Sequence, residues 1–386
     1  MDWIWAEILT LSILALFCFK TLLAHTLTWR HLRKKNNPSP LNTDLPPISI
    51  IKPVRGLDQE AEENFLSFVH CGYPAPFEVI FSVEEKEDPI VPLIQRLIAD
   101  CQTPARVRLI FSKRQDQREL GKTVNLMAGV KESRYEVLVF SDSDVRNAPG
   151  FLEQLVRPLS EARVGLSYAC PVYKGAREWI AALMALAVNE AILALATAPS
   201  FTAIGSAMAI RKDVLHAIGG LAPLRHRIGI DAALGRAVRA KGYRIELIQQ
   251  PVTVIHLRNR FSQWWQQMHR WLVTIRRYLG TGHFAIPFYS APILWASLYF
   301  FFSLLGGRMA QALAVLAFIL LFRFASVAVI NLFFAKDPGV WRYLWLLPIL
   351  ELLTVALWIE SYANPNVVWR GRRYRVLADA TVRPVR

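Results

Sequence analysis

The residues best equipped for chemistry are Asp142 and Asp144, spaced i, i+2 at the end of Val137-Leu-Val-Phe-Ser-Asp-Ser-Asp144. A short apolar, β-favouring run that stops abruptly at polar residues reads as a buried strand. The two carboxylates then stand at its C-terminal edge, where open α/β sheets bind ligands. Such a pair suits a hard divalent cation, Mg²⁺ or Mn²⁺, that keeps waters and bridges to phosphates. Ser-Asp-Ser-Asp is also good turn chemistry, so the metal reading depends on what else converges there. A second acidic run, Glu84, Glu85, Glu87 and Asp88, follows the strand-like Phe77–Val83. Alone it is a solvated loop; on the same edge of a parallel sheet it makes a shared nucleotide site. Lys122 and Asn125, at a helix start after Gly121, add a cation and an amide. Lys122 by itself reads as a surface lysine. Asp231 stands where an N-cap belongs, before a helix over Ala232 to Lys241. Gln267, Arg270 and Trp271 fall at i, i+3, i+4 and share one helix face. An arginine held beside a ring and an amide suits a diphosphate leaving group. The same helix also reads as an interfacial one with an aromatic belt and basic anchors.

The elements that must position these residues alternate. Strands are expected at Ile48–Ile51, Phe77–Val83, Val107–Phe111 and Val137–Phe140, with helices over Glu60–His70, Val91–Cys101 and Gly121–Lys131. Strand and helix in alternation predict a parallel sheet flanked by helices. Lys52-Pro-Val-Arg-Gly56 reads as a turn, Phe201–Ile210 as mixed and rich in small residues, Arg211–Gly220 as a helix ended by Gly-Gly, and Tyr243–Ile248 as a strand. With no G-x-G-x-x-G and no Walker loop, dinucleotide and P-loop readings lose their best support.

The 386 residues are 53% hydrophobic with a formal net charge of +15, and the mean hydropathy is +0.27. That is too apolar for an ordinary soluble enzyme and points to membrane spans. Basic clusters at Arg30–Lys35 and Arg370–Arg375 sit beside apolar segments, which favours a membrane surface over nucleic acid. The four cysteines form no CxxC, so neither a zinc site nor a disulfide framework is suggested. Residues 3–29 are mostly apolar, with tryptophans near the ends and the basic run following. They read as an uncleaved anchor, N-terminus outside and the next domain cytoplasmic. Lys20 and His25 weaken that span. Residues 177–201 are nearly long enough to cross but contain Asn189 and Glu190, costly at mid-bilayer. They read as an interfacial helix that offers apolar surface to a lipid tail, with a buried core helix as the alternative. Candidate C-terminal spans are 284–305, 309–333 and 341–362. Three full spans would carry the Arg-rich tail outside, against the positive-inside rule. Either one candidate is re-entrant or interfacial, or the tail breaks the rule.

Together these residues resemble the ceramide glucosyltransferase family, membrane-bound inverting transferases. The resemblance rests on Lys52-Pro, Glu87-Asp-Pro89, Lys122 with Asn125-Leu-Met, Ser141-Asp-Ser-Asp144, Arg211-Lys-Asp-Val-Leu215 with Gly219-Gly220, Asp231, Gln267-x-x-Arg-Trp271 and Trp369-Arg-Gly-Arg-Arg-Tyr-Arg375. It implies an α/β GT-A domain, Rossmann-like with a mixed sheet, plus N- and C-terminal transmembrane helices. The division expected is an anchor at 1–29, a basic and Pro-rich linker at 30–47, the GT-A domain with interfacial helices at 48–280, a transmembrane or re-entrant region at 281–363 and an Arg-rich cytoplasmic tail at 364–386. The implied reaction is inverting transfer of a hexose, glucose foremost, from a UDP-sugar to the primary hydroxyl of ceramide, giving glucosylceramide. By the same resemblance Asp231 is the general base, and Glu85, Asp88, Lys122, Asn125 and Asp142 bind the nucleotide sugar. Asp142 and Asp144 hold the divalent metal, while Gln267, Arg270 and Trp271 bind the diphosphate and the acceptor end. The family's animal members carry a histidine in the region matching 177–201, and this chain has none there. A bacterial branch that adds an amino sugar to a hopanoid polyol is the nearest alternative. A processive polysaccharide synthase shares the acidic and QxxRW pattern but needs a channel of several spans. A transporter would carry its polar residues inside paired spans, and nucleic-acid binding is disfavoured by where the charge lies.

Overall fold

A computed structural model describes residues 2–33, 45–101, 106–196, 203–255 and 260–385. Most of the expected linker falls outside them. The chain forms two compact units. The first comprises Met1–Arg33, Gly175–Thr197 and Leu257–Trp369; the second comprises Lys34–Lys174, Ala198–His256 and Arg370–Arg386. Residues 175–197 and 257–280, read in the sequence within a 48–280 domain, thus cluster with the terminal apolar helices.

The second unit is built on a sheet. Its strands are β1 (Ile48–Val54), β2 (Phe77–Val83), β3 (Arg106–Phe111), β4 (Val137–Ser141), β5 (Val145–Arg146), β6 (Val164–Tyr168), β7 (Pro171–Lys174), β8 (Ala207–Arg211), β9 (Arg244–Leu247) and β10 (Val252–Ile255). The main sheet has the order β3-β2-β1-β4-β8-β6-β9. β1 pairs in parallel with both β2 and β4, and β2 with β3. β8 runs antiparallel to β4 and to β6, so the sheet is mixed. The end of the segment read as mixed and small-residue rich, from Ala207, is therefore a central strand. Ala207-Met-Ala-Ile has a single β-branched residue, Ile210, and burial between two neighbours supplies what propensity does not. A smaller sheet, β5-β10-β7, follows the acidic turn.

Helices fill both faces because these strands are buried throughout. Ala61–Val69 and Val91–Ala99 connect β1 to β2 and β2 to β3, and Gly121–Glu132 leads into β4. The last packs so close to β1 that a Cβ on Gly129 would stand 2.3 Å from Ile51 Cγ2. The C-terminal residues also belong to this unit. After β11 (Asn366–Trp369), β12 (Arg372–Val376) and β13 (Val382–Pro384) pair antiparallel. Ile228 donates its N–H to the Ala380 carbonyl at 2.9 Å and Val382 to that of His226 at 2.9 Å. What composition presents as a basic tail is thus a folded edge of the domain.

The first unit is helical. Among the described residues three helices are long and apolar enough to cross a membrane: Trp3–Arg33, Met309–Phe334 and Pro338–Ala363. The expected span at 284–305 is instead part of a pair, Phe261–Ser290 and Pro292–Leu305, bent by 63°. Pro292 and a Glu351 carboxylate oxygen that accepts the Ile293 N–H at 2.7 Å account for that break. The helix Trp179–Ala196 is buried from Ala181 to Leu186, which corrects the interfacial reading. Its polar residues find partners inside the unit. The Asn189 amide donates to Asn331 Oδ1 at 2.8 Å. Glu190 pairs with Arg323 and accepts from Ser326 Oγ at 3.0 Å. Arg323 reaches Glu351 at 3.1 Å. Lys20 lies 3.9 Å from the centre of the Tyr289 ring.

Replacing Gly129 with alanine forces the Gly121–Glu132 helix off β1. The expected loss is about 1–3 kcal/mol, typical of overpacking, seen as a lower midpoint of thermal unfolding in detergent. An unchanged midpoint would show that this contact does not limit packing.

Candidate active site

The order β2-β1-β4 reverses the direction of connection between β1 and β4. Such a switch point opens a crevice at the carboxyl ends of the strands, and the chemistry-bearing residues gather there. β1 does not stop at Ile51 as expected; it runs on through Lys52 to Val54. Lys52 is fully buried. Its ammonium donates to Ser141 Oγ at 3.0 Å and to the Asp142 carbonyl at 2.8 Å, and lies 3.8 Å from the centre of the Phe68 ring. Burial pulls its pKa down to about 7, against the pull of Asp142 and Asp144. The sequence reading placed Lys52 in a turn. The signal available was a strand pattern that the lysine interrupts without a glycine or proline before it.

Asp142 follows β4 and forms an ion pair with Lys122 at 2.5 Å. Burial acts to lower the Lys122 pKa, but Asp142 and Asp231 outweigh it and the net shift is upward. Lys122 is therefore no idle surface lysine: it pairs with Asp142, and the Asp231 charge also acts on it. Asp144 lies in the turn before β5, its carbonyl accepting the Ile255 N–H at 3.1 Å. Burial, with repulsion from Asp142 and Asp58, pushes its carboxyl up to about 7, opposed by Arg370 and Lys122. Ser143, between the two acids, donates to Asp58 Oδ2 at 2.5 Å.

Asp231 is not the N-cap. The helix runs Ile230–Ala240 and its cap is Gly229, at φ +69°. Asp231 lies inside the first turn and turns its carboxylate to the loop before β8, accepting the Gly205 N–H at 2.8 Å. Burial raises its pKa, opposed by Lys122 and by backbone N–H groups of the turn. A Cβ on Gly205 would stand 2.9 Å from Asp231 Cβ, so only glycine lets this loop approach the acid.

The other expected nucleotide residues divide. Glu85 is half exposed beside Arg372, at 3.3 Å. Asp88 directs both oxygens to the Gly56 N–H, at 3.0 and 2.9 Å, and accepts from Ile90 at 3.0 Å. Asn125 is buried, accepting from Ser112 Oγ at 2.5 Å and donating to the Val54 carbonyl at 3.3 Å. Asp88 and Asn125 therefore brace the strand ends with groups directed at the protein itself. Glu84, adjacent to Glu85, is the better-connected acid: it pairs with Arg114 at 2.7 Å and with Arg372 at 3.3 Å.

Gln267, Arg270 and Trp271 lie on the helix Phe261–Leu279 of the first unit, all half-buried. The Arg270 guanidinium carbon lies 5.2 Å from the centre of the Trp369 ring. On the same helix Trp265 donates to Glu360 at 2.8 Å and His269 bonds the Asn364 carbonyl at 3.1 Å.

Among the described residues no group of three or more His, Cys, Asp or Glu is placed to hold a metal ion by itself. The donor set of Asp142 and Asp144 is all oxygen, and crowding by Asp142 and Asp58 disfavours the charged form of Asp144. That combination fits Mg²⁺ or Mn²⁺ arriving with a diphosphate that completes its coordination, and does not fit a resident zinc ion.

Among solved structures, a mannosyltransferase from Pyrobaculum calidifontis in complex with GDP-Man and Mn²⁺ is similar over 92% of this chain and 99% of its own, with a TM-score of 0.51 and 17% identity. The mixed sheet is that of a GT-A glycosyltransferase. The model of Glycosyl transferase family 21 matches residues 9–382, and the chain belongs to that family. Ceramide glucosyltransferase 1 of Caenorhabditis elegans is 22% identical over 410 residues, covering 99% of this chain and 84% of that protein. A ceramide glucosyltransferase of Candida albicans is 28% identical over 122 residues, covering 29% of this chain and 22% of that protein.

Gly205→Ala is expected to displace Asp231 and lower glycosyl transfer by about tenfold or more, the scale of a misplaced reacting group, with little change in thermal midpoint. Full turnover in the variant would mean that the position of Asp231 is not critical.

Proposed function

We propose that the protein transfers glucose from UDP-glucose to the primary hydroxyl of ceramide, with inversion at the anomeric carbon. The observation that carries this reading is the half-buried Asp231 carboxylate, which accepts the Gly205 N–H and feels the charge of Lys122, the lysine that ion-pairs with Asp142 at the sheet's switch point. One lysine thus acts electrostatically on both the proton acceptor and the diphosphate-binding edge of this reading. The similarity to proteins named ceramide glucosyltransferases supports ceramide as the acceptor.

In this reading Asp231 takes the proton from the lipid hydroxyl as its oxygen attacks the anomeric carbon. The bond from that carbon to the UDP oxygen breaks on the opposite face, which gives inversion. A single displacement needs one base and no carboxylate nucleophile. Asp142 and Asp144 would hold the divalent cation, which offsets charge on the departing diphosphate. Glu85 stands by the nucleoside; Asp88 and Asn125 brace the floor beneath it. Gln267, Arg270 and Trp271 serve the diphosphate and acceptor end. Lys52 keeps the end of β4 in place from below. Apolar helices long enough to cross a membrane support a membrane enzyme, acting in this reading on the cytoplasmic side, where a lipid headgroup is available without leaving the bilayer.

Because Asp231 must be ionised to act and its pKa is raised, transfer should fail on the acid side at a pH above the ordinary aspartate range of about 4. The rate should rise with pH through that limb. Asp231→Asn should abolish the limb and cut turnover by about a hundredfold or more, while UDP binding persists. Turnover close to wild type would remove Asp231 from the base role.

Asp142→Ala should lose cation-dependent UDP binding, measured by titration with and without chelator. Product analysis by mass, with Mn²⁺, UDP-sugars and either ceramide or a hopanoid polyol, tests donor and acceptor together. Glucosylceramide supports the proposal, whereas an amino-sugar hopanoid would replace both substrates.

A further inference from the structure

Arg370 has no place in the reaction as drawn, yet the geometry of the second unit directs it to the donor edge. It occupies the turn before β12 at φ +48°, followed by Gly371 at φ +78°. A left-handed arginine is uncommon, and such backbone persists where its surroundings hold it. Asp58 does the holding. The guanidinium meets it as a fork, Nη1 to Oδ1 at 2.8 Å and Nη2 to Oδ2 at 3.0 Å. The same Oδ2 accepts from Ser143, the residue between Asp142 and Asp144. Arg370, Asp58 and Ser143 thus form one bonded chain from the C-terminal segment to the acidic turn. Asp58 is mostly covered, its side chain 19% exposed, while that of Arg370 is 44% exposed. The carboxylate fixes one edge of the guanidinium and leaves other N–H groups open.

We propose that Arg370 is a donor-binding residue whose open guanidinium edge contacts the diphosphate of the nucleotide sugar, aimed there by Asp58. This rests on the nucleotide-diphosphate reading of the Asp142 and Asp144 edge. A planar guanidinium with one edge tied to a carboxylate keeps donors free for phosphate oxygens, at little further ordering cost. The arrangement also explains why the C-terminal residues fold onto the domain: they deliver a cation beside a turn rich in acids.

The test is titration of detergent-solubilised full-length protein with UDP and with UMP in the presence of Mn²⁺. Arg370→Asn suits the left-handed backbone and removes the charge. It should weaken UDP binding about tenfold or more, the scale of a lost charged hydrogen bond, and UMP binding by clearly less. The KM for the donor should rise in step. Equal losses for UDP and UMP would reduce Arg370 to a clamp on the turn and overturn the proposal, as would unchanged UDP binding. Should Arg370→Asn not fold, Arg370→Lys decides. It keeps the charge and loses the fork, and several-fold weaker UDP binding at an unchanged thermal midpoint is expected; wild-type affinity would overturn the proposal. Wild-type protein that binds no UDP overturns the donor reading itself, and this inference with it.

Discussion

Like charges crowded at the carboxyl ends of β1 and β4 are the constraint on which the second unit depends. Asp58, Asp142, Asp144 and Asp231 cannot all be drawn from water as anions without compensation. Lys122 pairs with Asp142 and offsets Asp231, Arg370 holds Asp58, and Lys52 supports the end of β4 from within the sheet. Asp144 is left least compensated, and its carboxyl is pushed up to about 7. A protein selected for stability alone would gain by removing such an acid. Beside an open edge, such an acid suits the cation of the proposed reading.

Much of the surrounding architecture follows from keeping these groups close. β1 must extend past Ile51 to bring Lys52 beneath Asp142. The Gly121–Glu132 helix must lie near β1 to present Lys122, and Gly129 permits that approach. Gly205 does the same for the loop that bonds Asp231. Asp88 and Asn125 tie strand ends to loops through buried hydrogen bonds, the arrangement that lets an edge keep its shape when unliganded.

The helical unit meets a related constraint in a different solvent. Asn189, Glu190, Arg323 and Glu351 would each be costly in hydrocarbon alone. They are partnered with one another and with backbone N–H groups at the bend before Ile293. The apolar stretch 179–196 is therefore long enough to suggest a span and is instead packed inside the helical unit along its first turns.

The alternating period of the α/β half, the acidic pair at the end of a buried strand and the shared face of Gln267, Arg270 and Trp271 were all written in local sequence. So were the long apolar helices, because strand and helix periodicity and span length depend only on near neighbours. The antiparallel β8, the placing of Asp231 inside a helical turn rather than at its cap, and the partners of Glu190 were decided by tertiary contacts. So was the return of Arg370 to Asp58 across the whole length of the domain. Charges are compensated by whatever the fold brings near, and residues as distant in sequence as Asp58, Ser143 and Arg370 become partners only once the sheet has formed.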